Sequence, residues 1–140
     1  MALTRRSSLA LAALVACSSL FSGNALAQTL RLTGAEETPP NASTAVGTGS
    51  IQVDADGNVS GTLSAPTLAQ PRAAHIHLGA PGQAGPPIIT LGGGDPGTWT
   101  VPDGAKLTPE QLQAYKAGNL YVNIHTAAYP GGELRAQLRP

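Results

Sequence analysis

The chain has 140 residues, room for one domain. Eight Lys and Arg balance eight Asp and Glu, and only 11% of residues are charged, so no basic surface is available to neutralise phosphates and a nucleic-acid partner is excluded. Beyond the N-terminal leader there is no run of about 18 apolar residues, which excludes a spanning helix; 17 Gly and 12 Pro among 41% hydrophobic residues indicate a small, turn-rich globular fold.

The first 27 residues read as a secretory signal peptide. Met1 to Arg6 is a basic start, Leu9 to Phe21 an apolar stretch, and Ala25-Leu26-Ala27 a small-residue cleavage site that makes Gln28 the new N-terminus. Leu14-Val15-Ala16-Cys17 also fits a lipobox, in which Cys17 would be acylated, and Thr4-Arg5-Arg6 hints at twin-arginine export. The expected location is therefore periplasmic or secreted, with a lipoprotein as the alternative. Removing the leader takes away two arginines and no acid, leaving 113 residues with six basic and eight acidic groups. Cys17 is the only cysteine, so the domain at 28–140 would have neither a disulfide nor a thiolate site.

Along that domain the period of the apolar residues is mostly two. Thr29 to Thr33 alternates, and Gly49 to Asp54 and Val59 to Leu63 flank the turn Asp54-Ala55-Asp56-Gly57-Asn58, predicting a hairpin. Further strands are predicted at 73–78, 86–91, 97–101, 119–126 and 133–139, separated by Pro81-Gly82, Gly92-Gly93-Gly94, Asp95-Pro96-Gly97 and Pro130-Gly131-Gly132. One helix is predicted near 108–117, with Thr108 as N-cap, Pro109 at its first position, Glu110 in its first turn and Gly118 as its stop. The expected fold is all-β, an antiparallel sandwich with one short helix.

Asp54, Asp56 and Asn58 resemble a calcium loop only superficially, because Gly57 is misplaced and Ala65 stands where the closing Glu belongs; they read as a turn. Gly92-Gly93-Gly94 lacks the Lys-Ser/Thr of a phosphate loop and reads as a flexible connection, and Trp99 and Tyr115 read as packing residues.

The three histidines carry the chemistry. His75-Ile76-His77 places two imidazoles on one face of a strand, with Ile76 on the other. In Leu120 to His125 the apolar residues Leu120, Val122 and Ile124 alternate with Tyr121, Asn123 and His125. In Glu133 to Leu138, Leu134, Ala136 and Leu138 alternate with Glu133, Arg135 and Gln137. All three histidines thus lie on the polar side of their strands, and adjacency of those strands would bring His75, His77 and His125 together. Three neutral imidazoles suit copper or another divalent transition metal, the affinity order favours copper, and three protein ligands leave a coordination position open. The same histidines would equally serve a sheet as hydrogen-bonding residues that bind nothing. Glu133 is the one carboxylate near enough in sequence to count as a further ligand, and Tyr121 and Asn123 are candidates to orient the imidazoles.

The segment from His75-Ile76-His77-Leu78-Gly79 to Gly85-Pro86, the block Leu120-Tyr121-Val122-Asn123-Ile124-His125-Thr126, and Pro130-Gly131-Gly132-Glu133-Leu134-Arg135 resemble the histidine blocks of the CHRD domain family, named after chordin. Leu32 to Pro40 resembles its opening segment, and the resemblance runs over roughly 30–139; Ala136 stands where the family usually has Gly. The resemblance implies the Greek-key sandwich of copper/zinc superoxide dismutase, an extracellular setting, and copper binding with superoxide dismutation at His75, His77 and His125. Under that reading Arg135 would steer or hold the small anion. The chain departs from an ordinary copper/zinc dismutase in lacking the disulfide cysteines and in having too few histidines for a separate zinc site. The competing functions are a non-enzymatic extracellular binding or matrix module, a copper-sequestering protein, and a zinc hydrolase, which lacks a placed general base. A homo-oligomer or an extracellular protein partner is compatible with the sequence.

Overall fold

A computed structural model describes residues 28–93 and 97–140. The leader, Cys17 and most of the turn Gly94-Asp95-Pro96-Gly97 lie outside the described residues.

The chain order is β1 (Thr29–Thr33), a 3-10 turn (Gly34–Glu36), β2 (Val46–Val53), β3 (Val59–Ser64), β4 (Pro71–Leu78), β5 (Pro87–Thr90), β6 (Gly92–Gly93), β7 (Thr98–Thr100), α1 (Pro109–Lys116), β8 (Leu120–Thr126) and β9 (Leu134–Leu138). Every strand pairing is antiparallel. The strands form one sheet in the order β5-β4-β8-β9-β1-β2-β3-β7-β6. The all-β antiparallel expectation holds, with the strands joined in one sheet curled on itself. Its terminal strands β5 and β6 are separated only by Leu91, whose N–H donates to Ala74 O at 2.9 Å. One extended segment thereby pairs with β4 on one side and with β7 on the other. Gly92 and Gly93, expected as a loose connection, are the strand that completes this wrap.

Alternation fills the interior. Leu30, Leu32, Ile51, Leu63, Ala74, Ile76, Trp99, Val122, Ile124, Leu134 and Leu138 are all buried in one core, each Leu, Ile or Val side chain contributing about 1.5–3 kcal/mol by leaving water. The hairpin β2–β3 turns on Asp54, whose Oδ1 accepts from the amides of Asp56 and Asn58 at 2.9 Å each and whose Oδ2 accepts from Asn58 Nδ2 at 2.7 Å. These bonds satisfy the turn internally and depress the Asp54 pKa, the Asn58 side chain foremost. Helix α1 begins as predicted, one residue inside the expected span: Thr108 Oγ1 accepts from Gln111 N at 3.2 Å and Gln111 Oε1 accepts from Thr108 N at 2.9 Å, a reciprocal capping box. Among the described residues no helix is long and apolar enough to cross a membrane.

For the site the decisive feature is the centre of the sheet. Strand β8 is flanked by β4 and β9, and its register sets His75 opposite Asn123, His77 opposite Tyr121 and Ala73 opposite His125. On its other side Tyr121 faces Gln137 and Asn123 faces Arg135. The polar residues of three neighbouring strands therefore share one outward face.

Candidate metal centre

That outward face is not open to water. Tyr121, Asn123, Glu133 and Arg135 are buried, and Arg135 is only 1% exposed. Loops cover them, because Arg135 and Gln137 reach up to bind backbone carbonyls. Arg135 Nη1 donates to Gln83 O at 2.9 Å and Nη2 to Ala80 O at 3.0 Å, while Gln137 Nε2 donates to Gly79 O and Gly118 O at 2.9 Å each. The segment after β4 is thereby folded back over the sheet. Gly85 within it is required by space, since a Cβ there would overlap the carbonyl of Leu78.

The histidines converge beside these residues, His77 buried and His75 and His125 half-buried. Ring centroids are 5.6 Å apart for His75 and His77, 4.8 Å for His75 and His125, and 6.0 Å for His77 and His125. One nitrogen from each ring lies within 4.8 Å of the others. Nitrogens bound to one ion at a bond length of about 2.0–2.1 Å would be separated by about 3.3–3.6 Å, so a modest contraction closes the shell.

Two hydrogen bonds decide which nitrogens are free. His77 Nδ1 lies 2.8 Å from Gly85 O, and His125 Nδ1 lies 2.9 Å from Pro130 O. A carbonyl can only accept, so both rings carry their proton on Nδ1 and present a lone pair at Nε2. Those two Nε2 atoms and His75 Nδ1 are buried without a hydrogen-bond partner among the described residues. The only other such atoms are Glu37 Oε1 and Asn123 Oδ1. Buried unpaired acceptors each carry a desolvation cost of about 1–3 kcal/mol, and here they collect beside one cluster.

Burial is also the largest cause lowering the pKa of His75 and of His77; His125 and His77 add to it at His75, and at His77 the Gly85 carbonyl and the Asn123 side chain oppose it while His125 and Arg135 add to it. The neutral imidazole, the form that ligates metals, is favoured. Tyr121 stacks on His77 at 4.7 Å with an 11° tilt, and the Arg135 guanidinium sits 3.5 Å from the centre of the Tyr121 ring. Tyr121 Oη accepts from Gly85 N at 3.1 Å and donates to Gly85 O at 3.3 Å. The side chain that stacks on His77 thus also holds the carbonyl that fixes its tautomer.

The matching segment of family-level sequence is extensive: residues 29–138 fit the CHRD domain. The chain belongs to the CHRD domain family. No curated protein and no solved structure matched it.

Within this CHRD domain two expected site residues are engaged by the fold. Arg135, beyond the two loop carbonyls, donates to Gln137 Oε1 at 2.9 Å and Thr38 Oγ1 at 3.2 Å, and it lies under Tyr121. Glu133 is not a free ligand, because its carboxylate accepts from Ser43 Oγ and Thr126 Oγ1 at 2.6 Å each. Asn123 does adjoin the cluster and acts on His77. Sequence reasoning passed over Glu37, which is 5% exposed and has its pKa raised, by burial above all, with the Thr38 amide, Asn123 and Arg135 opposing. A Cβ at Gly132 (φ 128°) would overlap both Glu37 Oε1 and Asn123 Nδ2, so that glycine admits the pair. An acidic residue just before Pro39-Pro40 is the one sequence signal that could have marked it. The carbonyls of Gly85 and Pro130 have no such signal.

Proposed function

We propose that this CHRD domain is an exported metal-binding protein in which His75, His77 and His125 hold one divalent transition-metal ion, copper foremost. The coordination position left over would take a small anion such as superoxide. The observation that carries the reading is the trio of buried, unpartnered ring nitrogens, two of them fixed in tautomer by backbone carbonyls. Neutral imidazoles without thiolate or carboxylate suit copper, and the general affinity order places copper above its neighbours. Such a ligand set leaves the charge of the ion uncompensated, which attracts an anion. Bound copper would supply the one-electron chemistry of superoxide dismutation. The chain's own share is to keep the rings neutral, orient His77 and His125, and shield His77 from water beneath Tyr121.

Metal sequestration without turnover is the second reading. The engagement of Arg135 by loop carbonyls favours it, because a guanidinium so engaged is not free to hold an anion. Titration of metal-free protein with Cu(II), followed by electron paramagnetic resonance, tests the site. One tight equivalent with nitrogen hyperfine structure, lost in the His75→Ala/His77→Ala/His125→Ala variant, supports the centre; equal weak binding by both proteins overturns it. Catalytic consumption of superoxide by the loaded protein then separates dismutation from sequestration.

A further inference from the structure

The three histidines are not held alike. His77 is fixed twice, by its bond to Gly85 O and by its stack on Tyr121. His125 is fixed by its bond to Pro130 O. His75 has no hydrogen bond at either ring nitrogen among the described residues, and its ring meets the other two edge-on, at 79° and 65°. Its neighbour across the sheet on β5 is Thr90, an exposed residue. The buried, unpartnered nitrogen also differs: Nδ1 for His75, Nε2 for the other two. Nδ1 lies beside the Cγ–Cβ bond, so rotation about χ2 alone withdraws it without moving the strand.

We propose that His77 and His125 form a fixed pair able to bind a monovalent closed-shell ion by themselves, and that His75 is an exchangeable third arm engaged by divalent ions. This rests on the metal-centre reading of the same cluster and assigns its members unequal roles. A soft monovalent ion is satisfied by two neutral nitrogens in a near-linear arrangement, whereas a divalent ion needs three or more donors. The fixed pair has already lost its rotameric freedom on folding; His75 must lose its own at the moment of binding. The site would then accept monovalent copper without the third arm and close on divalent copper with it.

The experiment uses the chain from Gln28 onward, which contains neither cysteine nor methionine to capture silver. Ag(I) and Zn(II), both redox-inert, are titrated into the wild type and the His75→Ala, His77→Ala and His125→Ala variants, with circular dichroism as the check on folding. The expected result is that His75→Ala lowers Zn(II) affinity by about 100-fold but Ag(I) affinity by less than about 3-fold, while the other two variants lower both by about 100-fold. Equal loss of Ag(I) affinity in all three variants overturns the inference while leaving the metal centre standing. Binding of neither ion by the folded wild type overturns the metal centre itself. Should His77→Ala or His125→Ala fail to fold, nitrogen-15 spectra of the metal-free wild-type imidazoles decide. A single Nδ1–H tautomer at His77 and His125 with averaging at His75 is expected, and a single fixed tautomer at His75 overturns the proposal.

Discussion

Gly85 and His77 stand eight residues apart yet are joined by a 2.8 Å hydrogen bond from the imidazole Nδ1 to the glycine carbonyl. That bond leaves Nε2 as the His77 nitrogen with a free lone pair, and Tyr121 Oη holds the same glycine by its amide and its carbonyl. Tyr121→Phe keeps the ring on His77 and removes only these two bonds. It should weaken metal binding by about 10-fold, the lower end of what outer-shell partners contribute, with little change in thermal stability. Calorimetric titration with Zn(II) measures this, and unchanged affinity would show that the carbonyl is placed without the tyrosine.

Gly85→Ala acts on the same bond through space. The added Cβ would meet Leu78 O, on the strand that carries His77. The loop must shift, so metal affinity should fall more than in Tyr121→Phe, by about 10- to 100-fold. An alanine variant that binds as tightly as wild type would show that the loop has room to give.

Arg135 is predicted to matter through structure. Its guanidinium satisfies the carbonyls of Ala80 and Gln83, and a lysine cannot reach both while also donating to Gln137 and Thr38. Arg135→Lys should destabilise the metal-free domain by about 1–3 kcal/mol, the cost of losing charge-assisted bonds from a buried guanidinium to part-buried carbonyls, read by chemical denaturation. A variant that kept its stability but lost anion reactivity would support the steering role.

How much of this was legible in the residues follows from what kind of group does each job. The pairing of His75 with His77 was legible, because residues two apart on a strand share a face. The arrival of His125 depended on β8 lying beside β4, which alternation leaves unstated; the shared polar side of each strand was the only hint. The burial of that side was not legible: alternation marks Tyr121, Asn123 and Arg135 only as the polar side of their strands, and the structure buries all three. The loops over that side are held by backbone carbonyls of Gly79, Ala80, Gln83 and Gly85, and a carbonyl is the same in every residue. Closure of the sheet was hidden for a related reason, since Gly92 and Gly93 pair with β7 through backbone alone.

Titration of Glu37 and the histidines gives stability opposite slopes with pH. His75 and His77 have folded-state pKa values below their ordinary 6.5. Their contribution is present above pH 6.5 and is lost as pH falls through the lowered values, because the unfolded chain then binds more protons. Glu37 has a folded-state pKa above its ordinary 4.5, so its contribution is present below pH 4.5 and is lost as pH rises through the raised value. Glu37→Gln imitates the protonated acid at every pH. In the metal-free protein it should therefore melt at a higher temperature than wild type at pH 8, and the two curves should converge at and below pH 4.5. Thermal unfolding in the presence of a chelator across this range makes the comparison. A glutamine variant less stable than wild type at pH 8 would mean that the Glu37 carboxylate is a satisfied ion in the fold, paired with Asn123 and Arg135 more strongly than burial opposes it.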